Sequence, residues 1–272
     1  MAVFDDIEKF GEAPAVIDAE GRTVSYIGLT ELADKLCAHL PPRSIAVLKT
    51  SNSVGSIAAY VGCLRRGIVP ILLPNGIKPE GLAEICAAYQ PNSLFSPADE
   101  TSSKQETIAG YKCVSLNTAA TQIHDNLALL ISTSGSTGSK TMVRLSAQNI
   151  ACNANQIIEY LGIAQSDRVI TTMPMSYSYG LSLINTHLLS GAAIVATDEP
   201  LMSPKFWSLL KEQKVTTFGG VPFIYEMLKK LRFNKMDLPS LRYLTQAGGK
   251  LSTDLSEYFM AACHQKSIDF TV

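Results

Sequence analysis

An apolar run leads directly into a segment of glycine and small hydroxyl residues. Leu127–Ile131 is apolar, and Ser132–Lys140 follows as Ser-Thr-Ser-Gly-Ser-Thr-Gly-Ser-Lys. Glycines let a backbone turn sharply and bring its N–H groups close to an anion. Hydroxyl groups can donate to phosphate oxygens, and Lys140 or Arg144 could neutralise charge. The pattern indicates a phosphate-binding loop with these candidate residues: Thr133, Ser134, Gly135, Ser136, Thr137, Gly138 and Lys140.

The spacing of this loop excludes two common nucleotide motifs. A Walker A loop needs four residues between its first glycine and a Gly-Lys pair. Here only two residues stand between Gly135 and Gly138, and Ser139 separates Gly138 from Lys140. The dinucleotide fingerprint G-x-G-x-x-G is also absent from this segment. A flexible Ser/Gly linker is disfavoured because an apolar strand precedes the segment and a helical pattern follows it.

The segment Thr133–Gly138 resembles the phosphate loop of the adenylate-forming enzymes, which include acyl-CoA synthetases, adenylation domains of nonribosomal peptide synthesis and luciferases. The family's loop reads Thr-Ser-Gly-Ser/Thr-Thr-Gly, one variable residue, then Pro-Lys-Gly. The resemblance extends over about residues 12 to 272. The further similar segments are Thr23–Leu32, Leu64–Pro74, Met173–Gly180, Val215–Pro222 and Ser240–Leu251.

Two positions depart from the family pattern. Aligned without a gap, Lys140 falls on the usual proline and Thr141 on the usual lysine. The sequence therefore leaves open whether Lys140, Arg144 or neither residue fills the role of the family's lysine. Tyr177 falls where the family usually has histidine, and a tyrosine can gate a pocket but cannot be a cation at neutral pH.

The resemblance implies ATP-dependent activation of a carboxylic acid to an acyl-adenylate, followed by thioester formation with CoA or with the phosphopantetheine of an acyl carrier protein. It implies Mg²⁺ as a cofactor and assigns the phosphates to Thr133–Gly138. It places adenine against Gly248 and Gly249. The implied acid pocket comprises Tyr177, Gly219, Val221 and Pro222. No catalytic residue is assigned, and the residues do not distinguish CoA from a carrier protein or name the acid.

Apolar strands alternate with helices along most of the chain. This alternation predicts an α/β fold with doubly wound, mostly parallel sheets flanked by helices. The resemblance implies that two such sheets are stacked. The predicted strands are 45–49, 68–73, 92–96, 111–116, 127–131, 168–173, 192–196, 215–218, 241–245 and 268–272. The predicted helices are 54–65, 79–89, 147–161, 181–189, 204–213, 222–231 and 253–264.

The last residues, Ile268–Val272, have the pattern of a buried strand, and a domain seldom stops inside one. The family continues from such a strand into a Tyr-Gly-x-Thr-Glu motif, whose glutamate helps to hold Mg²⁺. It then adds a β-barrel subdomain and a small C-terminal domain with a catalytic lysine. We therefore expect residues 1–272 to be a partial N-terminal AMP-binding core without those parts, inactive alone. The alternative is a non-catalytic or degenerate nucleotide-binding fragment.

The composition excludes several classes of partner. The net charge is −1 and only 17% of residues are charged, so no basic field exists to hold nucleic acid. Val169–Thr197 carries no charged residue, but Pro174, Gly180 and Gly191 disfavour a membrane span. The N-terminus lacks the pattern of a signal peptide. A cytoplasmic protein is predicted, also because the cysteines are scattered without metal-ligand spacing.

Other candidate residues favour structural roles. His187 lies within the helix predicted at 181–189 and is interpreted as a packed, hydrogen-bonded histidine rather than a base or ligand. His124-Asp125 is interpreted as a surface loop, and the six cysteines as small buried side chains. Tyr179 is expected to line the same pocket as Tyr177.

Overall fold

The computed structural model describes residues 3–98, 107–116, 122–132 and 142–272. The candidate phosphate-binding residues Thr133–Gly138 and Lys140 therefore lie outside the described residues. The strands in the described part are β1 Pro14–Ile17, β2 Thr23–Ser25, β3 Ile45–Thr50, β4 Val69–Pro74, β5 Ser93–Pro97, β6 Tyr111–Ser115, β7 Leu127–Ser132, β8 Met142–Ser146, β9 Arg168–Ile170, β10 Ala193–Val195, β11 Thr217–Gly220, β12 Tyr243–Gln246 and β13 Asp269–Thr271. The α-helices there are α1 Tyr26–Cys37, α2 Val54–Arg65, α3 Pro79–Tyr89, α4 Ala147–Leu161, α5 Ser178–Ser190, α6 Pro204–Glu212, α7 Pro222–Lys230 and α8 Thr253–Gln265. Short 3-10 helices cover Ile7–Phe10 and Phe233–Lys235.

The strands form two sheets. The first has the order β13-β12-β11-β9-β10-β1-β2, in which every neighbouring pair is parallel except β1 with β2. The second has the order β6-β5-β3-β4-β7-β8, with parallel strands in the centre and an antiparallel strand at each edge. This arrangement confirms the α/β class with two mainly parallel sheets flanked by helices.

Helices α1, α2 and α5 fill the space between the two sheets. One apolar core joins alternate residues of the second sheet, such as Ala46 and Leu48, to residues of the first sheet, such as Val169 and Ile194. Helix α2 packs on the second sheet, whereas α1 and α5 pack on the first. The outer face of the first sheet is covered by α6, α7 and α8, and the outer face of the second by α3.

Local signals explain why most helices begin where they do. Serine hydroxyls accept a backbone N–H at the starts of five helices in the described part, α1, α2, α4, α6 and α8. Proline occupies the first turn of α3, α6 and α7, where its missing N–H costs nothing. Gly162 and Gly191 end α4 and α5 in the left-handed conformation.

Several elements differ from the sequence predictions. Strands β1, β2 and β8 and helix α1 have no counterpart among the predicted elements. Strand β11 begins two residues later than expected, so that Gly219 and Gly220 lie inside it and pair with β12. Strand β13 is the edge strand of its sheet and is exposed or half-buried, so the expectation of a buried last strand was wrong.

The membrane and cysteine predictions can be compared directly with the structure. None of the helices in the described ranges is long and apolar enough to cross a membrane. Cys37, Cys63 and Cys263 are buried as expected. Cys86 and Cys113 are half-buried and Cys152 is exposed, so the expectation of six buried thiols was only partly correct.

Candidate functional site

The strand order of the first sheet reverses between β9 and β11. From β9 the chain moves to β10 on one side, and it later returns to place β11, β12 and β13 on the other. In a parallel sheet, ligands bind outside the carboxyl ends of the strands at such a switch point. The segments that leave β9 and β11 there contain Tyr177 and Val221-Pro222.

The carboxyl ends of the two sheets meet on one side of the molecule. Asn52, just after β3, donates from its backbone N–H to the Asp198 carboxylate at 3.1 Å and from its side chain to the Thr197 carbonyl at 3.2 Å. Both partners follow β10. The Ser56 hydroxyl of α2 donates to the Met175 sulfur at 3.0 Å. Strand β7 runs parallel to β3 through β4, so it also ends on this side.

Strands β7 and β8 form an antiparallel pair that brackets the candidate phosphate loop. Ser132 is paired with Met142, and Thr133–Thr141 connects them. Arg144 lies further along β8, opposite Leu130, and it is exposed. It lines a small cavity with His124, at the far end of β7 from the connection. This position does not favour Arg144 for the lysine role that the sequence left open.

The loop after β12 packs against the segments that leave β9 and β11. Gly248 has a φ of +78°, and a Cβ on it would lie 2.6 Å from the Tyr177 hydroxyl oxygen and 3.0 Å from Val221 Cγ1. A Cβ on Gly249 would lie 3.1 Å from Pro222 Cγ. Only glycine fits Gly248, because both the backbone angle and the space exclude a side chain. The structure thus brings together the residues that the resemblance assigned separately to adenine and to the acid.

The side chain of Gln246 holds this loop in shape. Its amide nitrogen donates to the carbonyl of Ala247 at 3.1 Å and to that of Gly249 at 2.8 Å. Gln246 is buried at the end of β12. These two bonds, together with the bond from the Ala247 N–H to the Gly220 carbonyl at 3.3 Å, fix the loop against the end of β11.

The Tyr179 side chain packs against Gly219. Its hydroxyl donates to the Thr245 carbonyl at 2.8 Å and lies 2.7 Å from the Thr245 hydroxyl. A Cβ on Gly219 would lie 2.6 Å from the same phenol oxygen. Burial raises the pKa of Tyr179 to about 12, with the Thr245 contact opposing the rise. Tyr179 is therefore a neutral wall residue at physiological pH.

A cavity of about 510 Å³ opens beside these residues. It runs between α4, α5 and the face of β12, and its lining includes Tyr177, Tyr179 and Gly248. Apolar side chains of α4, Ile157 and Leu161, form part of its wall. Gly219, Val221 and Pro222 do not line it, although Gly219 lies beside the lining residue Tyr179 and Val221 beside the lining residue Gly248. A cavity of this size and lining suits a small organic acid.

His187 and Tyr243 lie in the wall of the same cavity, and sequence reasoning gave neither a binding role. His187 is fully buried, and its Nδ1 donates to the Leu183 carbonyl at 2.8 Å. Burial lowers the pKa of His187 to about 4, so the ring is neutral near pH 7. Burial also raises the pKa of Tyr243, with the Asp167 carboxylate adding to the rise. The only sequence signal for Tyr243 is its place on β12, two residues before Thr245, on the same face.

The described residues provide no ready metal centre. In those ranges no group of three or more His, Cys, Asp or Glu side chains could hold a metal ion. The Mg²⁺ implied by the resemblance therefore has no ligand set of that size among them.

These features are shared with known proteins. The chain matches the model of the AMP-binding enzyme family over residues 3–269, and it therefore belongs to that family. It is 27% identical over 273 residues to a linear gramicidin synthase polypeptide of Brevibacillus parabrevis, a match that covers 94% of this chain and 3% of that protein. It is 29% identical over 177 residues to a medium-chain fatty-acid–CoA ligase of Escherichia coli strain K12, covering 64% of this chain and 30% of that protein.

A solved structure has the same fold. The long-chain-fatty-acid-CoA ligase of Archaeoglobus fulgidus superposes with a TM-score of 0.81 at 19% identity, covering 100% of this chain and 63% of that one. This chain spans less than two thirds of each of these three relatives.

Proposed function

We propose that this chain forms the nucleotide-binding and acid-binding core of an AMP-forming acid–thiol ligase. In the reaction, a carboxylate oxygen attacks the α-phosphorus of ATP, and pyrophosphate leaves to give an acyl-adenylate. A thiol then displaces AMP to give a thioester, the thiol being that of CoA or of a carrier protein's phosphopantetheine. Membership of the AMP-binding family supports the first half of this reaction.

The observation that carries the proposal is the contact between Gly248 and Tyr177. The glycine loop proposed for adenine and the tyrosine proposed for the acid pocket are within van der Waals reach of each other. An acyl-adenylate needs this adjacency, because its acyl group and its nucleotide are joined through one phosphate. The candidate phosphate loop leaves β7 on the same side of the molecule.

The chain's own residues would act mainly by positioning. We assign phosphate binding to Thr133–Gly138 and Lys140, where backbone N–H groups and hydroxyls would offset repulsion between two anions. We assign adenine to Gly248 and Gly249. Tyr177, Gly219, Val221 and Pro222 would shape the acid side, with Tyr177 between the two compartments. The neutral, apolar wall of the cavity would exclude water from a hydrolysable adenylate.

ATP–pyrophosphate exchange tests the proposal, because it reports adenylate formation without the thiol step. We expect no exchange above background from the 272-residue chain with a panel of fatty and aryl acids, and clear exchange from a protein that carries the remaining family segments after Val272. Exchange by the short chain would show that those segments are dispensable. Nucleotide binding without exchange in the longer protein would favour the alternative of a degenerate nucleotide-binding module.

A further inference from the structure

The cavity beside α5 leaves apolar side chains of α4 exposed to solvent. Ile157, Tyr160 and Leu161 all line it, and their spacing places them on one face of that helix. Tyr160 is 76% exposed, and Ile157 and Leu161 are only partly buried. Leu183 of α5 also lines the cavity. Apolar groups exposed together in a concave wall are typical of a ligand site, whereas single exposed apolar residues need no explanation.

The lining of this cavity carries no charged side chain. Every residue that lines it lies in the described ranges, and none of them is Asp, Glu, Lys or Arg. The one histidine, His187, is neutral near pH 7 because burial lowers its pKa to about 4. The polar groups of the lining are hydroxyls and amides, such as those of Ser178, Ser182 and Asn153. The wall can therefore contact neutral groups but offers no counter-ion to a buried charge.

Two charged residues next to the wall are paired with each other. Arg242 stacks over the Tyr243 ring, 5.6 Å from the ring centre, but its guanidinium donates to the Asp167 carboxylate at 2.7 Å. That carboxylate is buried and also accepts from the Thr216 hydroxyl at 2.8 Å. A carboxylate or ammonium group on a ligand would have to break this pair or remain without a counter-ion, and both are costly.

Strand β12 defines the two ends of the cavity. Gly248 follows the strand at one end, next to Tyr177, and Tyr243 is the first residue of the strand at the other end. The strand covers about 10 Å, at roughly 3.3 Å per residue. Leu161 packs in the apolar cluster around Tyr243, so the last turn of α4, which includes Tyr160, lies at the end away from Gly248. An acid with its carboxyl group near Gly248 would extend its tail along β12 toward Tyr160.

We propose that this cavity selects monocarboxylic acids with an uncharged, mainly apolar tail and rejects amino acids and dicarboxylic acids. The inference rests on the proposed function, since it assumes that the carboxyl end of the ligand lies near Gly248 and Tyr177. An alkyl or aryl tail would cover the exposed faces of Ile157, Tyr160 and Leu161. An α-ammonium group or a second carboxylate would lose its hydration without gaining a counter-ion.

Calorimetric titration with matched acids tests the inference. In the alkyl series, octanoic acid is compared with 2-aminooctanoic acid and with octanedioic acid. In the aryl series, 3-phenylpropanoic acid is compared with phenylalanine. Acids of about eight or nine carbons suit a cavity of about 510 Å³. In each series in which the plain acid binds, we expect it to bind at least about tenfold more tightly than its charged partners.

Two charge insertions locate the ends of the bound acid. Ser178 lines the cavity beside Tyr177 and is the exposed first residue of α5, where an acidic side chain is favoured. Ser178→Asp should raise the affinity of the amino acids relative to the plain acids by about tenfold, the value of one hydrogen bond between charged groups. Tyr160→Lys should raise the relative affinity of octanedioic acid by a similar factor, because it places an ammonium group at the tail end.

Matched controls separate these results from a general effect of charge. Thr253→Asp adds the same carboxylate at the exposed first residue of α8, and Asn155→Lys adds the same ammonium group to α4. Neither Thr253 nor Asn155 lines the cavity, so neither control should change the affinity ratios. All four substituted side chains are exposed, so the variants should keep the fold, which thermal unfolding verifies.

Three outcomes would overturn the inference. The first is a charged partner that binds as tightly as the plain acid, or more tightly, in either series. The second is an affinity ratio that stays unchanged in Ser178→Asp or in Tyr160→Lys, which would mean that the acid does not lie along this cavity. The third is binding of no plain acid. Pyrophosphate exchange with the longer protein separates this from the proposed function: exchange without a preference for plain acids rejects only the inference, whereas a preference in binding without exchange rejects only the adenylation.

Discussion

The hydroxyl oxygen of Tyr177 occupies the space where a side chain on Gly248 would begin, 2.6 Å from the position of its Cβ. The two residues leave different strands, β9 and β12, and meet outside the carboxyl edge of the sheet. Their contact couples the shape of the glycine loop to the entrance of the cavity. A substitution at either residue should therefore alter both the glycine loop and the entrance of the cavity.

We predict that Gly248→Ala weakens nucleotide binding by about tenfold or more, equivalent to the loss of one good contact. The new Cβ would displace either the loop or Tyr177, and alanine is strained at a φ of +78°. Calorimetric titration with ATP measures the effect. Adding Tyr177→Phe, which removes the clashing oxygen, should restore part of the affinity.

The matched control for that variant is Gly67→Ala. Gly67 also has a positive φ, +66°, but a Cβ there would meet nothing within 4 Å. Both variants should lose about 1 kcal/mol of unfolding free energy from backbone strain. Only Gly248→Ala should change ATP affinity, and equal affinities in the two variants would remove Gly248 from the proposed site.

We predict that Gly135→Val abolishes nucleotide binding. The glycine-rich composition of the loop indicates that its backbone N–H groups approach the phosphates closely. A branched side chain would block that approach. ATP titration measures the loss, and Ser139→Ala, in the position of the variable residue, is the control that should bind normally. Unchanged ATP affinity in Gly135→Val would show that this segment does not bind the phosphates.

Substitution of the two candidate cations should distinguish their roles. In the longer protein that carries the remaining family segments, Lys140→Ala is expected to slow pyrophosphate exchange by roughly a hundredfold, the order seen when one charge-stabilising donor is removed. Its effect on ATP affinity should be much smaller. Arg144→Ala should leave the rate within about twofold, because the Arg144 side chain lines a cavity at the end of β7 away from the connection. A larger loss of exchange rate in Arg144→Ala than in Lys140→Ala would assign the role of the family's loop lysine to Arg144.

The buried imidazole of His187 should make stability depend on pH. Its pKa is lowered from 6.5 to about 4 in the folded chain, so the unfolded state binds more protons between those values. The contribution of His187 to the free energy of unfolding is therefore fully present above about pH 6.5. It falls as the pH drops, and below pH 4 about 3 kcal/mol has been lost. Urea unfolding across this range should show a shallower decline for His187→Asn, and parallel profiles would contradict the burial argument.

Tyr243→Phe should leave the ligand-free protein at least as stable as the wild type. The substitution removes a buried hydroxyl whose contact with the Thr217 side chain falls short of a good hydrogen bond, and it keeps the ring that packs against Ile163. Tyr60→Phe should instead cost about 1 kcal/mol, since it breaks a bond to Asn185. Denaturant midpoints compare the two, and a clear loss in Tyr243→Phe would reveal a structural role for its phenol.

Much of the fold could be predicted because its helix boundaries have local causes. The bounds of α2, α3 and α4 agree with the predictions, since Ser53, Pro79 and Ser146 mark the starts and Gly162 marks an end. Helix α5 starts earlier than expected. Its first residue follows Tyr177, which provides no side-chain cap that the sequence could reveal.

The remaining differences come from pairing between distant segments. Gly219 and Gly220 have low strand propensity, yet they are held in β11 by pairing with Thr245 and Gln246 of β12. The candidate site likewise contains some residues that the sequence could point to and others that depend on distant contacts. The family resemblance pointed to Gly248, whereas the unpaired state of His187 Nε2 depends on what surrounds it and has no sequence signature.

Helix α2 lies in the common core of both sheets, and every residue from Gly55 to Leu64 is buried. During synthesis this segment leaves the ribosome long before β9–β13 exist to complete its cover. The nascent chain must therefore carry an exposed apolar helix for much of its translation, which makes it a natural client for a holding chaperone. Translation products that end before β9 are expected to aggregate rather than persist as a smaller folded unit.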